Sequence, residues 1–392
     1  MIYLDAAATA PLQRAALEAL WPLLTSNFGN PSSHHAPGEA AAAALEDARR
    51  TVARILGCRA SEITFTSGGT ESNNFVLKGI ALAAPRGRHI VTSPIEHAAV
   101  SGALDYLTRF HGFRVSTVPV TPEGIVSLAA LEKVLTPETT LCTLMYANNE
   151  VGTVQPIDEL AGVCAAAGVY FHSDTVQAAG WLPLGVGALG VDSLSISGHK
   201  LGAPKGIGAV YLRGRVPCEP LQHGGGQERG RRSGTENVAG AAALAAALDL
   251  AQGALPEAAQ LATVHRDALI EHILTHTPNA RLTGHPTRRL PGLASFCFPG
   301  VSGEAVLLEL ERLGVVASSG SACAAGSDEP SAVLLALGID PGTAQSALRL
   351  SWTRDTPAEE LEEAAHAVVA AVHKVRGLRS GRPTDPVPAH LH

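Results

Sequence analysis

Three features are missing from these 392 residues, and each absence removes a class of function. There is no basic run. The densest cluster, Arg229 to Arg232, has a glycine inside it, and the chain carries a net charge of −7 with a pI near 6.1, so a nucleic-acid backbone finds no continuous positive face. There is no membrane-spanning stretch either. The alanine-rich run from Ala239 is interrupted by Asp249, and the chain opens on a short strand at 2–4 instead of a basic segment followed by an apolar one. Finally, the six cysteines (Cys58, Cys142, Cys164, Cys218, Cys297 and Cys323) form no Cys-x-x-Cys pair, which argues against a disulfide framework and a structural zinc site. A soluble, mildly acidic protein of the cytoplasm is expected. Its length exceeds what one compact core usually supports, so a large domain with a smaller one is expected as well.

What is present is an alternation of strands and helices. A helix at 39–56, with Glu46 and Arg50 one turn apart and Gly57 as its stop, precedes a strand at 63–67. Further strands are expected at 89–93, 140–146, 169–173, 191–196 and 206–212, with helices between several of them. This pattern predicts an α/β fold with a mostly parallel sheet covered on both faces, and in such sheets ligands lie beyond the carboxyl ends of the strands. Thr70, His97, Asn149, Asp174 and Lys200 each follow the end of an expected strand, so five loops can converge on one crevice.

The chemistry of that crevice centres on Ser-Ile-Ser-Gly-His-Lys, ending at Lys200 between two buried strands. Lys200 is either a loop lysine with its charge in water or a partly desolvated amine of the kind that condenses with an aldehyde cofactor. Gly68-Gly69-Thr70, between a strand and a helix, reads as an ordinary turn or as an anion cup built from the unpaired N–H groups of a helix start. Asp174 is a turn or cap residue, or the carboxylate that keeps a pyridine nitrogen protonated. His97, expected within a helix start, caps that helix or stacks on a planar ring. Asn149 and Gln177 are polar groups able to hydrogen-bond a ring oxygen.

The glycine-dense loop at 223–237 suits close approach to a ligand or a partner subunit, with Thr235 at the start of the next helix. From about Pro256 a smaller α/β unit is expected, ending in a helix over 357–375. Within it, Ser-Ser-Gly-Ser-Ala-Cys-Ala-Ala-Gly-Ser holds Cys323 among residues too small to bury much surface, which reads as an incidental thiol or a reactive one on a mobile loop. Arg349 is an ordinary strand charge or a clamp for a substrate carboxylate.

Taken together, Phe28-Gly-Asn-Pro-Ser-Ser, Thr66-Ser-Gly-Gly-Thr-Glu-Ser-Asn-Asn, Glu96-His97, Asn148-Asn-Glu-Val-Gly-Thr-Val-Gln-Pro-Ile, His172-Ser-Asp-Thr-Val-Gln, the Lys200 segment, Gly224-Gly-Gly-Gln-Glu, Arg232-Ser-Gly-Thr-Glu-Asn and the Cys323 segment resemble the pyridoxal-phosphate-dependent cysteine desulfurases of the class V aminotransferase superfamily, over nearly the whole chain. The resemblance implies a fold-type-I enzyme. Residues 1–13 would pack with the small domain, 14–255 would form the cofactor domain, 256–376 the small domain, and 377–392 a disordered tail.

It further implies that Lys200 carries pyridoxal 5'-phosphate, Asp174 pairs with the ring nitrogen, Gln177 bonds the phenolic oxygen and His97 stacks on the ring. Gly69, Thr70, Ser197 and His199 would take the phosphate, with Thr235 reaching across from the second subunit of a homodimer. Asn149 and Arg349 would hold the carboxylate of L-cysteine, and Cys323 would take its sulfur, assisted by His97 as proton acceptor, for a sulfur-acceptor or iron–sulfur scaffold protein. No metal is implied in the free enzyme, although Cys323 could ligate an iron–sulfur cluster during transfer. A selenocysteine lyase or another class V enzyme would share Lys200 and Asp174, and a non-catalytic sulfur-assembly scaffold would be expected to lack Lys200 or Cys323. The chain departs from the family's opening motif at Ala6 and Ala10, where a polar residue and a threonine are usual.

Overall fold

The computed structural model describes residues 1–83, 85–320 and 329–380, so Cys323 and the stretch 381–392 lie outside the described residues. Its centre is a seven-stranded sheet in the order Ile63–Thr66, Gly208–Leu212, Ser193–Ser197, Tyr170–Asp174, Thr139–Thr143, His89–Thr92 and Arg114–Thr117. Neighbours from Ser193–Ser197 to the Arg114–Thr117 edge are parallel, while Gly208–Leu212 runs antiparallel to both of its neighbours. This is the mostly parallel α/β sheet expected from the alternation of elements. Its inner strands are short but buried on both faces, unlike the exposed edge strand Arg114–Thr117, so their polar side chains must find partners inside the sheet. His172 does so through Thr143 Oγ1 (2.8 Å) and Ser195 Oγ (3.0 Å) on the flanking strands.

The helix Ala36–Leu56 buries Ala41, Leu45, Ala48, Val52 and Leu56 along one face, the spacing that puts residues on one stripe. It packs against Val238–Gly253 and ends at Gly57, whose φ of 68° needs no Cβ to be accommodated. It starts three residues before the expected position, because Pro37 suits the first turn of a helix. The expected Glu46 and Arg50 pair does not form. Arg50 pairs with Asp47, and Glu46 pairs with Arg49. Arg49 is buried and makes a two-pronged contact with Glu228 at 2.6 and 2.7 Å, and Glu228 also accepts from the Phe65 N–H at 2.9 Å.

A bend of 70° separates Val238–Gly253 from Leu255–His276, which leads into a second core. There, Arg281–Leu282, Leu293–Cys297 and Ala347–Ser351 form an antiparallel sheet. Phe296, Phe298, Leu348, Leu350 and Trp352 pack with Val306, Leu310, Val368 and Val372 from two helices. Ile2 and Leu4 belong to this core, and Ile2–Tyr3 pairs in parallel with Val315–Val316. The last helix, Ala358–Ser380, runs on past Gly377. Residues 377–380, expected in a disordered tail, are therefore helical. A single glycine inside a helix costs about 1 kcal/mol, which the preceding turns outweigh. Among the described residues, no single helix is long and apolar enough to cross a membrane.

Candidate active site

The carboxyl ends of the parallel strands open into a crevice of about 560 Å³. Gly69, Thr70, His97, Asn149, Asp174, Gln177, Ser197, His199, Lys200 and Arg349 all line it. Thr235 does not. It is exposed in a neighbouring hollow with Ser67, Gly206 and Arg232.

Each wall is built by the element that precedes it. The helix Gly69–Ala83 begins where the strand Ile63–Thr66 has just ended, and its first N–H groups face the crevice mouth. A Cβ at position 69 would lie 2.8 Å from Val176 Cγ2, so only glycine lets this backbone approach so closely. One turn on, Asn73 donates from Nδ2 to Asp174 Oδ2 at 2.6 Å, and Asp174 Oδ1 accepts from the Val176 N–H at 2.9 Å. Asp174 is thus a turn residue through Oδ1, and its buried carboxylate lines the crevice.

Lys200 closes a short turn, Gly198–Lys200, directly after the strand Ser193–Ser197. Its Nζ donates to the carbonyls of Ala7 (2.5 Å) and Ala8 (2.7 Å), and Gln177 Nε2 donates to the same Ala7 oxygen at 2.9 Å. The amine is therefore held by backbone oxygens of the N-terminal segment. His199 Nδ1 lies 3.2 Å from Thr9 Oγ1, and burial together with the charges of Lys200 and Lys205 pushes its ring down to about 4, so it is neutral near pH 7.

His97 is not within the helix Ala98–His111 but caps it from outside, with Nδ1 accepting from the Ala99 N–H at 3.0 Å. That use of the Nδ1 lone pair leaves the proton of the neutral ring on Nε2. Arg349 is 1% exposed. Its Nη2 donates to Asp5 Oδ1 (2.7 Å), its Nη1 to the carbonyls of Asn149 (2.9 Å) and Gly320 (3.2 Å), and its Nε has no hydrogen-bond partner among the described residues.

Among the crevice residues given no role from the sequence are Asn73, Glu96, Glu150 and Ser331. Burial raises the Glu150 carboxyl above its usual range, and Ser331 Oγ donates to it at 2.5 Å. Glu96 is pushed up to about 8, first by burial and then by the charge of Asp174. Asn73 carried a signal, since it lies four residues after Gly69 on the same helix face. The two glutamates did not, because a carboxylate in a loop reads as solvated until its burial is seen. Among the described residues, no group of three or more His, Cys, Asp or Glu side chains is arranged to hold a metal ion.

Residues 2–363 match the class-V aminotransferase family. The chain is 43% identical over 385 residues to cysteine desulfurase IscS of Methanosarcina thermophila, across 98% of this chain and 95% of that protein. Among solved structures it resembles a NifS-like protein with a TM-score of 0.89 at 37% identity, across 95% of this chain and 99% of the other. It also resembles SspA in complex with cysteine, with a TM-score of 0.79 at 34% identity, across 90% and 98%. With a family match over most of the sequence and the same strand-end residues gathered into one crevice, the chain belongs to the class-V aminotransferase family.

Proposed function

We propose that this protein is a pyridoxal-phosphate-dependent cysteine desulfurase, which converts L-cysteine to L-alanine and passes the sulfur on for iron–sulfur cluster or thiocofactor assembly. The observation that carries the reading is the convergence of Lys200, Asp174 and the Gly69 helix start on one crevice. These groups fit the cofactor. Position 69 has no room for a Cβ beside a helix start, Asp174 is a buried carboxylate fixed by two donors, and Lys200 presents an amine at the opposite wall. When bound, pyridoxal phosphate supplies an aldehyde and a ring that stores the electron pair released at the substrate α-carbon.

The chain's own residues do the rest. Gly69, Thr70, Ser197 and His199 hold the phosphate, and a neutral His199 donates a hydrogen bond without adding a second charge beside Lys200. Asp174 would hold a proton at the ring nitrogen, Gln177 would bond the phenolic oxygen, and His97 would stack on the ring. Because Nδ1 caps the helix, His97 enters the reaction as a donor through Nε2, and taking a proton at Nδ1 would cost it that cap. Asn149 and Arg349 orient the substrate carboxylate, and Lys200 takes the α-proton. The Cys323 thiol then attacks the substrate sulfur: the Cβ–S bond breaks, an S–S bond forms, and Cβ gains the hydrogen that makes alanine. The balance is cysteine plus a Cys323 thiol giving alanine plus a Cys323 persulfide. Two copies form the working unit, each lending Thr235 to its partner's phosphate site.

The test is incubation of the cofactor-loaded protein with L-cysteine and dithiothreitol. Alanine and sulfide in equal amounts support the reading, and the Cys323→Ser variant should make almost none of either. Alanine released by that variant at the wild-type rate would remove Cys323 from the mechanism, and no alanine from the wild type would remove the function.

A further inference from the structure

Glu96 has no part in the chemistry above, yet it lines the same crevice as Asp174. The two acids are treated oppositely. Both oxygens of Asp174 accept hydrogen bonds from Asn73 and Val176, as a carboxylate requires. On Glu96, one oxygen accepts from Ser93 Oγ (2.6 Å) and from the Met145 N–H (3.0 Å), while the other, closed to solvent, has no hydrogen-bond partner among the described residues. A full negative charge with one oxygen neither solvated nor hydrogen-bonded is costly, and a proton on that oxygen removes the cost.

The contacts of Glu96 also form a brace. Ser93 and Glu96 belong to the connection between the strand His89–Thr92 and the helix Ala98–His111, which carries His97 at its cap. Met145 belongs to the segment leaving Thr139–Thr143, and the next residue, Tyr146, donates its N–H to the Asp174 carbonyl at 2.9 Å. Glu96 thus ties the loop that carries His97 to the strand that carries Asp174.

We infer that Glu96 is a positioning residue of the cofactor site, a neutral carboxylic acid that fixes the loop of His97 against the segment that bonds the backbone of Asp174. This rests on the cofactor reading proposed above. The charged group acting on Glu96 is Asp174, and Glu96 in turn raises the buried Cys142 thiol on the strand behind it. His97, Glu150, His199, Lys200 and Arg349 face the same crevice from the other walls. The upward shift of Glu96 to about 8 agrees with a proton retained at neutral pH.

The test uses holoenzyme and two substitutions. Glu96→Gln keeps an oxygen that accepts from Ser93 and Met145 but has no proton to lose, whereas Glu96→Ala removes the brace. In infrared difference spectra between about pH 6 and about pH 10, the wild type should lose a protonated-carboxyl C=O band that Glu96→Gln never shows. By equilibrium dialysis of pyridoxal phosphate near neutral pH, Glu96→Ala should bind about tenfold more weakly and Glu96→Gln within about threefold of the wild type, the size expected for one or two hydrogen bonds. An identical infrared change in Glu96→Gln, or wild-type affinity in Glu96→Ala, would overturn the assignment. If both readouts come out as expected but the wild type makes no alanine, the Glu96 role stands and the desulfurase reading falls.

Discussion

At the scale of single residues, the crevice is defined by what already occupies its hydrogen-bonding groups. Lys200 Nζ donates to the Ala7 and Ala8 carbonyls at 2.5 and 2.7 Å, so its amine is directed by the N-terminal segment. If Lys200 is the anchor, borohydride treatment of the holoenzyme should fix the cofactor's mass to the peptide that contains it, and the Lys200→Ala variant should gain no such mass. A labelled Lys205 peptide in that variant would move the anchor elsewhere. Arg349 presents a different case, because Asp5, Asn149 and Gly320 already use its Nη groups. A substrate carboxylate must share or replace these contacts, and a lysine could not reproduce the guanidinium fork. Arg349→Lys should therefore raise the KM for cysteine by roughly tenfold or more, the worth of one charge-assisted hydrogen bond. An unchanged KM would take Arg349 out of substrate binding. The residues legible in the sequence, Lys200, Asp174 and Thr70 among them, stand at strand ends, where alternation predicts a position. Glu96 acts by bonding Ser93 and the Met145 N–H, contacts that leave no spacing in the sequence, whereas Asn73 had only its four-residue step from Gly69 to mark it.

At the scale of elements, the strands of the central sheet other than its edge Arg114–Thr117 were the most legible feature, because short apolar runs separated by glycine turns have few other readings. The helix Arg14–Thr25 was missed, since Pro22 inside it hides the helical pattern. The pairing of Arg49 with Glu228 was equally hidden, as it joins residues far apart in sequence through a loop where Glu228 adopts a φ of 49°. This buried pair holds the helix Ala36–Leu56, the strand Ile63–Thr66 and the glycine-rich loop together. Glu228→Ala would leave the Arg49 guanidinium buried without its partner, and a loss of about 3–5 kcal/mol is expected by denaturant titration. A loss below about 1 kcal/mol, the surface-pair range, would show that the pair contributes little. His172 gives the central sheet a pH dependence. Burial lowers its ring to about 3, from an ordinary 6.5. Because the folded value is depressed, the unfolded chain takes up the proton first. Stability is then full above about 6.5 and is lost as the pH falls from there toward 3. At about pH 5 the loss from this one group is of order 2 kcal/mol, and His172→Gln should flatten that part of the stability profile. Glu96 has the opposite sign. Its folded value is raised from an ordinary 4.5 to about 8, so its contribution declines as the pH rises between those values.

At the scale of the whole molecule, the question is where Thr235 acts. It is exposed and sits outside its own crevice, yet the loop that carries it is firmly held. Arg232 bonds Glu71 through two nitrogens at 2.7 and 3.3 Å, Gln227 Oε1 accepts from the Gly234 N–H at 2.9 Å, and Asn237 caps the helix Val238–Gly253. A threonine presented on a fixed surface loop, with Trp21, Leu24 and Phe28 also exposed at 62%, 58% and 74%, suits a surface that meets a second copy. Light scattering should give the mass of a homodimer, and a monomer would remove the shared-site reading at once. The stronger test is complementation. A subunit carrying Lys200→Ala has a dead crevice but an intact Thr235, and one carrying Thr235→Ala has the reverse. When the two are unfolded, mixed in equal amounts and refolded together, about half of the dimers should be hybrids if pairing is random. Each hybrid then holds one crevice with both substitutions and one with neither. The mixture should therefore recover about a quarter of the wild-type activity per subunit, beyond whatever the Thr235→Ala homodimers retain. If Thr235 served the crevice of its own chain, every crevice in the hybrid would carry one substitution, and the mixture would be no more active than the two variants refolded separately.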